Sequence, residues 1–298
     1  MQSKKARYLF FAGALSVLAL FLIRSDLLLK ATDDALHMVV KSILPSLFPY
    51  LVLSHILTAA TAGISLPFGR VFSWLFRLPE IGLLPFFLGA ICGFPIGAKT
   101  VAELYDNGCL TREEAARLAA LSGNCGPAFA VAVIGGALYH NIALGWGLYA
   151  LQILLSVLLG MLSARRYPAK ASCLPPPSPP SFSSLGSAFY EASLSMLGIV
   201  GTVVFFSAAS SFLGSFLPPF LAAFLTAFLE VGSAAVVSAA MPYELGIPLI
   251  AFSLSFSGFS VLLQSSLFLA PRSIPIAPLY KRKLLGGILA MGCALLLF

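Results

Sequence analysis

Apolar residues are gathered into nine long runs separated by short polar segments. A helix needs about 20 apolar residues to cross the hydrocarbon core of a bilayer, and most of the runs have about that length. The pattern therefore predicts an all-α integral membrane protein. The runs cover residues 8–23, 42–62, 81–102, 115–138, 142–163, 188–213, 217–240, 246–270 and 284–298.

The third and seventh runs are interrupted by residues that do not continue a membrane helix. The third contains Gly93, Pro95 and Lys99, and the seventh contains Glu230 before Gly232. Irregular backbone at membrane depth is tolerated only where protein or a water-filled cavity satisfies its polar groups. We therefore predict that both runs form re-entrant hairpins, each of which enters and leaves the membrane on one side.

The distribution of Lys and Arg tests this topology, because cytoplasmic loops are enriched in them. With the N-terminus inside and both hairpins re-entrant, Arg24, Lys30 and Lys41 fall outside and Lys99 lies within a hairpin. Two full crossings in place of the hairpins would move more basic residues outside. The charges thus favour a multi-pass plasma-membrane protein with a cytoplasmic N-terminus. The predicted cytoplasmic set is Lys4, Lys5, Arg7, Arg70, Arg77, Arg112, Arg117, Arg165, Arg166, Lys170, Arg272, Lys281, Arg282 and Lys283.

A Pro-rich segment divides the chain into two halves with the same order of elements. Gly97 precedes Ser122 by 25 residues, and Gly232 precedes Ser257 by 25 residues. Each half predicts a crossing helix, a re-entrant hairpin and a broken crossing helix, and the two repeats are inverted, as in many secondary transporters. The predicted segments are an N-terminal membrane anchor and outer segment (1–34), a first repeat with a connecting helix (35–163), a cytoplasmic linker (164–186), an inverted second repeat (187–283) and a C-terminal apolar helix (284–298).

Composition excludes several classes of protein. The chain is 59% hydrophobic and 10% charged, against roughly 45–50% and about 25% in soluble domains. The net charge of +7 comes from clusters between apolar runs, so the expected partner is the lipid bilayer and not nucleic acid. Five widely spaced Cys residues without a C-x-x-C pattern predict no disulfide framework, metal site or cofactor. No phosphate loop, nucleophile elbow or pair of catalytic carboxylates indicates an enzyme.

The segment 92–99 has the composition of a ligand or ion site. Gly93 and Gly97 permit a sharp turn and close backbone approach, Pro95 cannot donate a hydrogen bond to a helix, and Lys99 adds a positive charge. The alternative is a packing turn from which Lys99 extends to the nearby interface.

Glu230 lies in an apolar stretch without another charged residue between Glu191 and Glu244. A central carboxylate in a membrane helix costs about 2.5–3.5 kcal/mol on insertion scales. Protonation, a pair with Lys99, or a bound cation or polar solute would offset this cost. The alternative is a neutral acid that is hydrogen-bonded to a helix end.

The segment 122–127 interrupts a helix that begins after Thr111, where Thr111 and Glu114 have the spacing of a capping box. Asn124 and freed carbonyl groups would face the first hairpin, and the alternative is a proline kink packed on small residues. Ser122 is the first residue of this interruption. Ser257 and Gln264 lie on the corresponding helix of the second half.

Other polar residues receive structural interpretations. The segment 103–117, which includes Glu114 and Arg117, is predicted to be a solvated cytoplasmic turn. His55 could relay protons, but a single His in an apolar run is more often hydrogen-bonded to a neighbour.

Several segments, in their order and spacing, resemble one protein family: 44–50, 93–99, 102–108, 124–127, 230–232 and 256–264. They are similar to the YlbJ-type sporulation integral membrane proteins, within the wider group that carries the nucleoside-recognition or Gate domain. The likeness covers roughly residues 35–285. It implies a fold similar to concentrative nucleoside transporters, two Gate-like repeats and a role in endospore formation.

We therefore expect a transporter-like protein that translocates or senses a small polar solute, nucleoside-like or ionic, at a site near the bilayer midplane. The alternative is a structural or scaffold component of the sporulation membrane, which would bind partner proteins or a second copy of itself. The expected site residues are Lys99, Asn124, Glu230 and Gln264, with Gly97, Ser122 and Ser257.

Overall fold

The computed structural model describes residues 4–60, 66–165 and 182–298, which fold as helices joined by short turns, with no strand in these ranges. Three helical stretches within them are long and apolar enough to cross a membrane, and two bent helix pairs would raise this number to five. The predicted all-α class is confirmed, and the apolar helices are those of an integral membrane protein. The three stretches are Ile142–Ala164, Leu185–Gly214 and Tyr243–Arg272.

The first half consists of short helices that end in one long helix. A π-helical turn (Val39–Ile43) joins the second and third helices, and a second π-helix (Ala128–Leu138) precedes the eighth. The α-helices are α1 (Lys4–Ile23), α2 (Ser25–Met38), α3 (Leu44–Ala60), α4 (Gly69–Phe76), α5 (Leu83–Ile91), α6 (Ile96–Asp106), α7 (Arg112–Ser122) and α8 (Ile142–Ala164).

The second half begins with a long helix and continues with shorter ones. Most of the predicted linker, with Arg166, Lys170 and Cys173, lies outside the described residues. The helices are α9 (Phe182–Gly214), α10 (Pro219–Leu229), α11 (Val231–Ala239), α12 (Tyr243–Phe256), α13 (Gly258–Leu269) and α14 (Ala277–Leu297).

Four interruptions occur where the sequence predicts them. Residues 92–95 separate α5 from α6, and residues 123–127 separate α7 from the second π-helix. In the second half, Glu230 has an extended conformation between α10 and α11, and Ser257 separates α12 from α13 with a φ of 78°. The interruptions place polar backbone and side chains in the middle of otherwise apolar runs.

Helix α7 begins with the predicted capping box. The Thr111 hydroxyl accepts a hydrogen bond from the backbone N–H of Glu114, and the Glu114 carboxylate accepts one from the backbone N–H of Thr111 at 2.8 Å. The prediction of a solvated turn is wrong for the helix that follows, because Glu114 and Arg117 are buried. Arg117 instead donates hydrogen bonds to the carbonyl oxygens of Phe76 and Arg77, at the end of α4.

Helix α14 begins at Ala277, before the predicted start at residue 284. It packs closely on α12, because a Cβ atom added at Gly287 would lie within 3.1 Å of the Phe252 and Phe256 side chains. Lys283 lies in these additional first turns and is buried. The interpretation of Lys283 as a cytoplasmic loop charge is therefore wrong, because hydropathy alone does not reveal that this part of α14 is covered by other helices.

Candidate functional site

A cavity lies where interruptions from the two halves of the chain meet. About 90 Å³ of it is accessible to the centre of a water-sized sphere. Its wall includes residues of three of the interruptions and two apolar residues of α9, Ile199 and Val203. The interruption residues that line it are Cys92, Gly93, Phe94, Cys125, Gly126 and Glu230.

Two glycines allow the first two interruptions to touch. Gly93 has a φ of 87°, a left-handed backbone conformation that residues with a side chain rarely adopt. A Cβ atom added to Gly93 would lie 2.9 Å from the backbone nitrogen of Gly126. A Cβ added at Gly126 would lie 2.8 Å from the carbonyl oxygen of Ile91. The turn between α5 and α6 therefore contacts the interruption after α7 backbone to backbone, and this contact forms one side of the cavity.

Glu230 is both the cap of α11 and part of the cavity wall. Its carboxylate Oε2 accepts a hydrogen bond from the backbone N–H of Ser233 at 2.6 Å, and the residue is 1% exposed. A carboxylate is favourable here because the first N–H groups of a helix lack partners within the helix. The predicted hydrogen bond to a helix end is confirmed. Because Glu230 also lines the cavity, its carboxylate can contact a ligand there.

Lys99 does not pair with Glu230, so that sequence interpretation is wrong. Its Nζ lies 3.9 Å from Glu103 Oε1, one turn further along α6, and has no hydrogen-bond partner among the described residues. The same Glu103 oxygen lies 3.1 Å from Nδ1 of His55. The prediction that a neighbour satisfies His55 is confirmed. Lys99 is 4% exposed, so it does not extend to the interface either.

Gly97 and Ser122 form a packing contact outside the cavity lining. A Cβ added at Gly97 would lie 2.8 Å from the Ser122 Cβ and closer still to the Ser122 carbonyl oxygen. Ser257 is buried at the interruption between α12 and α13. Within the described ranges, the hydroxyls of Ser122 and Ser257 have no hydrogen-bond partner.

Asn124 and Gln264 make different contacts. The Asn124 amide donates to the carbonyl oxygen of Leu121 at 2.9 Å, and its Oδ1 lies 3.5 Å from Nζ of Lys283. It is not part of the cavity lining. Gln264 does line the cavity, and its Nε2 donates to the Thr202 hydroxyl on α9 at 2.9 Å. Of the seven predicted residues, Glu230 and Gln264 reach the cavity.

The sequence interpretation missed Gln152 on α8, which holds the interruption after α7. Its amide oxygen accepts from the backbone N–H of Cys125 at 3.1 Å, and its amide nitrogen donates to the Cys125 carbonyl at 2.7 Å. One turn along, the Ser156 hydroxyl donates to the Leu121 carbonyl at 2.9 Å. The signal was available, since these two polar residues lie four apart in an apolar run and therefore share one helix face.

Replacing Gln152 with Leu should destabilise the interruption, because the N–H and C=O of Cys125 would be buried without partners. We expect the free energy of unfolding to fall by about 2 kcal/mol and the Cys125 thiol to react faster with a maleimide, as followed by mass spectrometry. Ser163→Ala on the same helix is the control, since it removes only a local hydrogen bond to Gly160. Equal labelling of Cys125 in both variants would contradict the assigned role.

Most residues that line the cavity are apolar, and its few polar groups could bind a small cation or polar solute. The cavity provides one carboxylate (Glu230), one amide (Gln264) and the backbone of the interruptions. No group of three His, Cys, Asp or Glu residues that could hold a metal ion occurs in the ranges that the structure describes.

Comparison with known proteins supports the family predicted from the sequence. No protein-family model and no solved structure matches the chain. The chain is similar to the sporulation integral membrane protein YlbJ of Bacillus subtilis (strain 168), with 26% identity over 324 aligned positions that cover 90% of this chain and 77% of that protein. Together with the apolar helices, this similarity confirms the predicted resemblance to the YlbJ-type sporulation integral membrane proteins.

Proposed function

We propose that this protein is a transporter-like membrane protein that binds a small cation at Glu230 and moves it across a membrane during endospore formation. The observation that carries this proposal is a buried carboxylate that lines a small cavity between the two halves of the chain. The sporulation context rests on the name of the Bacillus subtilis relative.

The size of the cavity favours a cation over a nucleoside-like solute. Pockets for drug-sized molecules usually measure about 300–1,000 Å³, whereas this cavity measures about 90 Å³. One water occupies at least about 10–15 Å³ of a cavity, so this cavity is larger than a single water requires. The cavity therefore has room for a cation with some of its water, and a nucleoside would require it to widen.

The charge of the site favours the same conclusion. Glu230 has no basic side chain within 4 Å among the residues that the structure describes, and an intramembrane carboxylate is costly without a partner. The α11 N–H groups offset part of that cost. A bound cation would supply the remaining compensation, and the Gln264 amide oxygen is a suitable second ligand.

Helix lengths support the re-entrant topology on which transport depends. At 1.5 Å per residue, the 9 residues of α5 and the 11 residues of α10 extend about 14 Å and about 16 Å, roughly half of the 30 Å hydrocarbon core. We include in the proposal two inverted repeats, each with one such hairpin and one broken helix, and an arrangement like that of concentrative nucleoside transporters. The proposal also includes a cytoplasmic N-terminus, which the distribution of Lys and Arg predicts.

The test compares cations while chloride is held constant. Purified full-length protein in detergent should show a higher melting temperature with sodium or potassium than with N-methyl-D-glucamine, because a ligand that binds the folded state stabilises it. Glu230→Gln should abolish this difference and reduce the uptake of the same cation into proteoliposomes at least tenfold. Gln retains an oxygen that can cap α11, so the variant should fold. Glu244→Gln, at an exposed position on α12, is the matched control and should behave like the original protein.

Two outcomes would overturn the proposal. One is an equal melting temperature in all three cations, and the other is an undiminished response in Glu230→Gln. A purely structural role in the sporulation membrane, the alternative from the sequence, predicts the first outcome.

A further inference from the structure

Two adjacent basic residues near the start of α14 are withdrawn from solvent, since Lys283 is buried and Arg282 is half-buried. Lys283 is 5% exposed, and its Nζ lies 3.5 Å from Asn124 Oδ1. Arg282 approaches α8, where its Nη2 donates to the Ser156 carbonyl oxygen at 3.3 Å. The two side chains thus project between α7, α8 and α12 at the level of the interruption after α7.

Neither cation has a carboxylate partner. Among the described residues, no Asp or Glu oxygen lies within 4 Å of Arg282 or Lys283. The Nε of Arg282 is buried without a hydrogen-bond partner in the same set. A buried charge that lacks a counterion is strongly unfavourable, since it has lost its water without gaining an opposite charge.

A third basic residue reinforces the positive potential. Arg117 donates a hydrogen bond to the carbonyl oxygen of Phe76 at 2.7 Å. The Phe76 ring and the Arg282 guanidinium both lie close to Gly160 on α8, because each would be 2.7 Å from a Cβ atom added to that glycine. Arg117 thus lies near Arg282. The neutral oxygen atoms of Asn124 and Ser156 cannot neutralise the charges of Lys283 and Arg282.

A small cavity, which we call the α14 pocket, lies beside these charges. It is lined by Gln152, Ser156, Ser255, Arg282, Lys283 and Gly286. About 10 Å³ of it is accessible to the centre of a water-sized sphere, so the pocket holds at least one water-sized species. Its small size favours a compact anion over a larger one.

We propose that the α14 pocket binds a monoatomic anion of the halide class, held by the Lys283 ammonium and the Arg282 guanidinium. The anion supplies the missing counterion and joins α14 to α7 and α8. This site is separate from the proposed cation site, although Asn124, which contacts Lys283, precedes the cavity residue Cys125 in the chain.

The test varies the anion while sodium and ionic strength are held constant. The melting temperature of the purified full chain should rise with chloride or bromide, by about 3–5 °C for each tenfold increase above the dissociation constant. Gluconate and sulfate, which are larger than a halide ion, should have no such effect. An equal response to all four anions, or no response to halides, would overturn the proposal.

Variants locate the effect. Lys283→Met should remove the halide response and, in gluconate, unfold at or above the melting temperature of the original protein, because the buried charge is gone. Arg282→Gln should weaken the response at least tenfold and provides a second variant if the first does not fold. Lys281→Met, at an exposed position on the same helix, should respond normally. A normal halide response in both Lys283→Met and Arg282→Gln would contradict the assignment. The cation experiment holds chloride constant, so its interpretation would not change.

Discussion

Gly97→Ala is expected to lower the free energy of unfolding by about 3 kcal/mol. The new Cβ would meet the Cβ of Ser122 at 2.8 Å and its carbonyl carbon at 2.9 Å. Backbone atoms cannot move aside as the end of a flexible side chain can, so α6 and α7 must separate. Overpacking of this kind costs about 1–3 kcal/mol and sometimes more. We expect a cost at the upper end of this range, because the new Cβ would meet backbone atoms.

Thermal unfolding in detergent measures the effect, and a fall of roughly 6–10 °C in the melting temperature is expected for a chain of this size. Gly201→Ala is the matched control, because nothing lies within 4 Å of a Cβ added at that position on α9. Similar melting temperatures for the two variants would show that α6 and α7 do not pack as described.

Phe252→Ala is expected to cost about 3–5 kcal/mol, the usual range for removing a buried aromatic ring. Phe252 is 2% exposed and stacks between two other rings, Phe224 on α10 at 5.5 Å and Phe256 at 5.4 Å between centroids. The stack connects the first arm of the second hairpin to the broken helix beside it. Because Glu230 directly follows α10, the loss should also weaken the cation response.

Phe220→Ala serves as the comparison, since this phenylalanine lies near the start of α10 and is 56% exposed. We expect its melting temperature to change by less than about 2 °C, because exposed substitutions usually have small effects. If Phe252→Ala unfolded at the same temperature as Phe220→Ala, the aromatic stack would not be what joins α10 to α12.

The interruptions could be predicted from the sequence because their causes are local. Pro95 and Pro127 lack the N–H that a helix needs, and a charged residue such as Glu230 is conspicuous in an apolar run. The capping box at Thr111 is likewise encoded within four residues. The Lys99 and Glu103 pair also has a local signal, the spacing of four that places both on one helix face, but the apparent symmetry of the halves favoured Glu230 as the partner.

The contacts between distant segments could not be predicted in the same way. Asn124 and Lys283 are 159 residues apart, and nothing in their surroundings in the sequence indicates that they meet. Charge counting assigned Lys283 and Arg117 to loops because it treats every basic residue near the end of an apolar run as solvated. Burial depends on which helices pack against that end, which is a property of the tertiary structure.

The contact between Gly93 and Gly126 limits how the cavity can open. Since the backbones touch there without intervening side chains, separating the turn between α5 and α6 from the interruption after α7 would open a gap in this side of the cavity wall. The opposite wall is formed by apolar side chains of α9, and the Gln264–Thr202 hydrogen bond joins α13 to that helix. Displacement of α9 would break this hydrogen bond and uncover the apolar side chains that line the cavity.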